Sequence, residues 1–260
     1  MPDARVNGVR LHYEEYGSGT PILCIHGTGS SSELWRPAAR ELAAHGRAIV
    51  YDRRGFSRSE RPDPLVTDVH LHADDAAALL DALDAAPAIV VGRSHGGEIA
   101  VDLALRHGDR VRALALLEGG GSALSQTLLR WLEELDRAVF AAAARDVDTV
   151  GEVLLRRVLG DEAWEEVPED FRRVFAGNGP AIVAERRGGV LGADAETLGT
   201  IRQPTLLVSA GDSPPEIRAA MHAMAEAMPR ARLETVEGGH LISPSHPVVR
   251  AFIDGLRAAA

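Results

Sequence analysis

Ser94 sits in the pentapeptide Gly92-Arg93-Ser94-His95-Gly96, between the apolar β-type run Ala88-Ile89-Val90-Val91 and a helix-like stretch from Glu98 to Leu105. Gly-x-Ser-x-Gly in that setting forces a tight turn that strains the serine backbone. The two glycines leave room for the neighbouring strand and helix. The hydroxyl then projects from the sheet edge at the positive end of a helix, where it can act as a nucleophile. Such a serine needs a base, an acid that orients the base, and donors for an oxyanion. His240, in Val236-Glu237-Gly238-Gly239-His240 just past the last predicted strand, is the base that position selects among 10 histidines. The N–H of His95 is one oxyanion donor, because free backbone donors and the dipole at a helix start favour negative charge. The loop His26-Gly27-Thr28-Gly29 offers the second, from Gly27 or Thr28, since its glycines let the backbone approach a substrate. Taken alone, that loop also reads as an ordinary strand-to-helix turn.

The elements that must carry these residues alternate β and α. A hairpin over 5–16 turns at Asn7-Gly8. Strands follow at 21–25, 47–51, 88–92, 111–117, 205–210 and 231–236, and helices at 33–45, 67–85, 95–107, 215–228 and 247–259. Short apolar strands alternating with helices predict an α/β fold, with a mostly parallel eight-stranded sheet covered on both faces. Residues 122–200 lack a convincing buried strand and carry Trp131, Phe140, Trp164, Phe171 and Phe175 on helical patterns. They read as a helical cap inserted between strands 6 and 7, dividing the chain into a core of 1–121 and 201–260 and a cap of 122–200. Ligands of open α/β sheets bind outside the carboxyl ends of the strands, so the cap would form a lid over Ser94. Packing within the cap itself is the plainer role for any one of its aromatic residues.

The net charge of −10 is dispersed, which argues against nucleic acid as a partner. A chain of 260 residues, 45% hydrophobic, can bury a full core without a metal or disulfide staple. Its one cysteine, Cys24, lies in an apolar run and reads as a small core residue. No signal-peptide stretch opens the chain and no run approaches a membrane span, so a cytoplasmic protein without a membrane partner is expected. The cluster His70-Leu71-His72-Ala73-Asp74-Asp75 imitates the ligand set of a dinuclear zinc hydrolase. Residues two apart on a helix face different ways, so it reads as a solvated helix start. Neither a metal nor a cofactor is expected. The composition leaves a homodimer open.

Together, His26-Gly27-Thr28-Gly29, the run Tyr51-Asp52-Arg53-Arg54-Gly55-Phe56-Ser57-Arg58-Ser59, the Ser94 pentapeptide and Gly238-Gly239-His240 resemble the α/β-hydrolase superfamily. The resemblance covers about residues 5–257 outside the cap. It implies a catalytic acid three residues after the glycine that ends strand 205–210, but that position is Pro214, which cannot serve. Two candidates remain. Asp212 lies one residue past Gly211, and Glu118 ends the apolar strand Ala113-Leu114-Ala115-Leu116-Leu117. A carboxylate ending a buried strand is costly unless a cationic or hydrogen-bonded partner awaits it, and an imidazole that becomes charged is such a partner. Glu118 is therefore preferred, with a structural role at the cap connection as the alternative. With Glu118, Glu162-Ala163-Trp164-Glu165 and Ser245-His246-Pro247 after His240, the chain resembles the fungal zearalenone lactonase group. That resemblance implies a triad of Ser94, Glu118 and His240, with Gly27 and His95 at the oxyanion site. It departs from the group in having Ile182 where a substrate-stacking aromatic residue is expected and His95 where the group has a small residue.

The leading expectation is a serine hydrolase that cleaves a carboxylic ester or lactone of a small molecule through an acyl-serine. The same residues fit a cofactor-free perhydrolase or haloperoxidase, or a hydrolase of carbon–carbon bonds in diketones. A small-ligand receptor reusing the fold is the remaining alternative.

Overall fold

In the computed structural model, which describes residues 2–258, the chain opens with the predicted hairpin. Strands β1 (Asp3–Val6) and β2 (Val9–Tyr16) pair antiparallel around Asn7 and Gly8, whose φ values of 45° and 76° suit the two-residue turn. Next come β3 (Pro21–Ile25), α1 (Ser32–Leu42), β4 (Arg47–Tyr51), α2 (Val69–Ala82), β5 (Ala88–Arg93), α3 (His95–Arg106) and β6 (Val111–Leu117). After a long helical segment, β7 (Thr205–Ala210), α10 (Pro215–Ala227), β8 (Ala231–Val236) and α11 (Pro247–Ala258) complete the order. The last helix was expected to reach Ala259, which lies outside the described residues. Asp68 caps α2 by accepting the Leu71 N–H at 2.7 Å, and Asp84, at φ 48°, turns the chain toward β5. These two residues shorten the helix expected over 67–85 at both ends.

The eight strands form one sheet in the order β1-β2-β4-β3-β5-β6-β7-β8, parallel from β4 to β8. The central strands are buried except at Arg112, so their side chains feed two cores by simple alternation. Val90, Leu114, Leu116 and Leu207 pack beneath α2, α3 and α10, whereas Ile89, Val91, Leu117 and Val208 pack beneath α1 and α11.

Between β6 and β7 the chain is helical from Ser122 to Leu198, in α4 (Gln126–Ala143), α5 (Val150–Leu159), α6 (Asp161–Glu165), α7 (Glu169–Gly177), α8 (Gly179–Gly188) and α9 (Ala195–Leu198), with short 3-10 turns among them. These helices enclose their own apolar cluster around Leu135, Val139, Leu154, Trp164 and Phe175, and Phe56 of the core packs into it. Polar bonds fasten the cap to the core. Asn178 donates to the carbonyls of Gly29 at 3.0 Å and Ser30 at 3.1 Å, and its own oxygen accepts the Ser57 N–H at 2.7 Å. Glu185 of α8 forms an ion pair with Arg53, both fully buried. Glu98 of α3 accepts the Leu191 N–H at 2.6 Å.

Candidate active site

The strand order creates the site. β3 lies between β4 and β5, so the chain reverses its direction of travel across the sheet there, and a crevice opens beyond the carboxyl ends of the strands. The loop after β3 and the turn after β5 become neighbours in that crevice. Ser94 occupies the turn with φ 55° and ψ −125°, a sparsely populated conformation for a residue with a side chain. Only glycine fits two residues to either side of it. A Cβ on Gly96 would stand 2.2 Å from the Ile25 carbonyl oxygen, and one on Gly92 would stand 2.3 Å from the Gly96 oxygen. The Ser94 N–H donates to the Leu117 carbonyl at 2.9 Å, which draws the end of β6 alongside.

Glu118 follows immediately after β6, in a left-handed conformation at φ 55°. Its buried carboxylate accepts the Ala210 N–H at 2.6 Å through Oε1 and lies 3.2 Å from His240 Nδ1 through Oε2. An ionised carboxylate only accepts, so His240 Nδ1 carries the hydrogen and Nε2 stays available. Burial alone would raise the Glu118 pKa, but the hydrogen bond and charge of His240 and the Ala210 N–H outweigh it. The net shift is downward, and the group is ionised at neutral pH. Asp212, the other candidate acid, is exposed, and its N–H donates to the Gly238 carbonyl at 2.9 Å. No ion pair joins it to His240 among the described residues; Glu118 alone has that contact.

The loop after β3 is set by a buried histidine. His26 Nδ1 lies 2.9 Å from the Gly27 carbonyl oxygen, and His26 Nε2 lies 3.1 Å from the Arg53 N–H. A carbonyl accepts and an amide donates, so His26 is neutral with its hydrogen on Nδ1. Burial, then the charge of Arg53, push its pKa well below the ordinary histidine value, which agrees with that state. The Gly27 carbonyl also accepts from Arg53 Nη2 at 3.1 Å and from the Ser30 N–H at 3.3 Å. In a trans peptide the C=O and the following N–H point in opposite directions. With the Gly27 oxygen held on one side by three donors, the Thr28 N–H faces the other. A Cβ on Gly27 would lie 3.2 Å from the Ser94 Cβ, so this loop passes directly against the Ser94 turn. His95 is the first residue of α3, and the amides of a first helical turn have no intrahelical partner.

Ser94, His240, Glu118, Gly27, Thr28 and His95 all line one cavity beneath the cap. Its far walls are apolar, with Leu132, Leu154 and Leu155 from the cap and Ile217 and Met221 from α10. Of the five cap aromatics, Trp131 and Phe175 reach it, while Trp164 is buried in the cap cluster. Ile182 does not line the cavity. It packs inside the cap cluster, 3.1 Å from where a Gly29 Cβ would stand.

One reading needs correction. The start of α2 is not solvated, because His72 and Asp75 are buried. His72 faces Thr67 at 2.7 Å, and Asp75 binds Arg54. His70 points outward and pairs with Asp102 at 2.9 Å. Among the described residues, no group of three or more His, Cys, Asp or Glu side chains is arranged to hold a metal. The sequence reading also missed the supporting polar pairs. Arg53 was visible only as part of a motif, and nothing near Glu185 in the sequence announces it as the partner 132 residues away.

A family model described as alpha/beta hydrolase fold matches residues 20–247. A protein of Azorhizobium caulinodans, named as a carbamate hydrolase, RutD, is 32% identical over 254 residues, covering 96% of this chain and 95% of its own. The 2-hydroxymuconate semialdehyde hydrolase of Pseudomonas sp. strain CF600 is 40% identical over 117 residues, 44% of this chain and 41% of its own. Among solved structures, Est816, described as an N-acyl homoserine lactone degrading enzyme, superposes with a TM-score of 0.77 at 27% identity, over 100% of both chains.

Proposed function

The chain belongs to the alpha/beta hydrolase family, and from that premise we propose that it hydrolyses a carboxylic ester or lactone of a small organic molecule through an acyl-serine. The observation that carries the reading is the buried contact between His240 Nδ1 and Glu118 in the cavity that Ser94 also lines. Ser94 attacks the carbonyl carbon while His240 Nε2 takes its proton. The N–H groups of Thr28 and His95 hold the oxyanion, and Gly27 leaves space for it. His240 then returns the proton to the departing alcohol. For a lactone, that alcohol stays tethered to the acyl group and leaves only when water frees the acid. Water, deprotonated by His240, attacks the acyl-serine and restores Ser94. Glu118 holds the imidazole in the productive tautomer and stabilises its charged form. The apolar cavity walls suit a substrate whose body is hydrocarbon. The similarity to the lactone-degrading Est816 supports a lactone among the substrates.

Ser94→Ala should abolish turnover of p-nitrophenyl butyrate and of a lactone panel while the circular dichroism spectrum stays unchanged. Undiminished hydrolysis by that folded variant rules the reading out. Cleavage of a carbon–carbon bond is the second reading, favoured by the partial match to a semialdehyde hydrolase. A diketone assayed beside the esters separates the two.

A further inference from the structure

Four arginines are buried among the described residues: Arg53, Arg54, Arg93 and Arg186. Three of them are paired with carboxylates, Arg53 with Glu185, Arg54 with Asp75 and Arg186 with Asp136. Arg93 has no such partner. Its Nη1 donates to the Ile242 carbonyl at 3.1 Å, and its guanidinium lies 5.3 Å from the centre of the Trp35 ring. Burial lowers its pKa to about 10, with no acid to offset the shift, so it is charged at neutral pH. A buried charge without a counter-charge is costly, and folds place one where something else completes the pair.

Arg93 directly precedes Ser94 and lines the same cavity, together with His240 and Leu241. One of its five N–H groups is used by Ile242, and the planar fork of the remainder matches a carboxylate. The cavity's other permanent cation, Arg186, is already neutralised by Asp136 at 2.5 Å. Glu98 and Glu118 also line it, their carboxylates bonded to the Leu191 and Ala210 N–H groups and, for Glu118, to His240, so Arg93 is the lining cation left for an incoming anion, beside Ser94.

We propose that Arg93 recognises a carboxylate carried by the substrate, so that the preferred substrate is an ester or lactone with a free acid near the scissile carbonyl and an apolar remainder beneath the cap. The proposal rests on the hydrolase reading for its substrate class, but it concerns binding and can be tested without turnover. The probe pair is mono-p-nitrophenyl glutarate and its neutral methyl ester, titrated calorimetrically into the Ser94→Ala protein. The acid should bind at least tenfold more tightly than the methyl ester. Adding Arg93→Gln should remove that preference, and Arg93→Lys, which keeps the charge without the fork, should retain part of it. Equal affinity for the two probes in Ser94→Ala, or no binding of either, overturns the proposal even if Arg93→Gln fails to fold. A preference that survives Arg93→Gln overturns it as well, and leaves Arg93 as a brace for the Ile242 carbonyl. Wild-type protein that turns over no ester while Ser94→Ala still prefers the acid would instead fault the hydrolase reading and leave Arg93 as an anion site.

Discussion

At the scale of single residues, the choice of acid is a choice between an exposed and a buried carboxylate. Asp212 is solvated and apart from His240, whereas Glu118 is buried with both oxygens engaged, one by the Ala210 N–H and one by the imidazole. Its depressed pKa keeps it ionised throughout the neutral range, where it can fix the His240 tautomer. Glu118→Gln should therefore lower kcat by about 10³- to 10⁴-fold, the scale seen when a triad acid becomes an amide. Asp212→Asn should leave kcat close to wild type. Steady-state kinetics of the two variants on one p-nitrophenyl ester decides between them, and the reverse order of effects would move the acid to Asp212.

At the scale of elements, the Gly27–Ser30 loop is only as rigid as the cap residue that grips it. Asn178, between α7 and α8, holds the carbonyls of Gly29 and Ser30 with its amide hydrogens. Asn178→Asp replaces those donors with an acceptor facing two acceptors. It should cost about 2–3 kcal/mol of stability and lower kcat as the Gly27–Ser30 loop loosens. Thermal unfolding and kinetics check this, and an unchanged Tm with unchanged kcat would show that the loop needs no grip from the cap. The elements themselves were legible where burial dictates sequence. The strands at 88–92 and 111–117 stand out as apolar runs, interrupted only by Arg112, because parallel strands are covered on both faces, and Glu118 stands out because it ends such a run. The helix ends were less legible, since Asp68 and Asp84 act through a side-chain cap and a backbone twist that periodicity does not register. The burial of His72 was hidden because its neighbours, Thr67 and Phe56 of the core and Glu185 of the cap, come together only in the fold. Asn178 and Glu185 serve the core from the cap, and only the tertiary fold brings them there.

At the scale of the whole molecule, cap and core share one buried charge pair. Burial would raise the Glu185 pKa, but the Arg53 guanidinium overrides it and holds the carboxyl far below the ordinary value of 4.5. A depressed carboxylate pKa contributes stability that is present above the unfolded value and is lost as pH falls toward the folded one. The protein should thus lose stability progressively below about pH 4.5, as the unfolded chain takes up a proton that the folded chain refuses. Glu185→Gln leaves Arg53 buried without a counter-charge. It should cost about 3–5 kcal/mol at pH 7 and flatten the acid side of the stability curve, as a pH series of denaturant melts would show. An acid limb as steep as that of wild type would assign the loss to other groups. The proposed mechanism places a covalent acyl group on one hydroxyl, and the most direct measurement is to look for it. Protein quenched in acid milliseconds after mixing with a p-nitrophenyl ester, then digested and weighed by mass spectrometry, should carry the acyl mass on the peptide containing Ser94, and Ser94→Ala should carry none. Acyl mass on another residue, or rapid ester turnover by Ser94→Ala, would contradict the account.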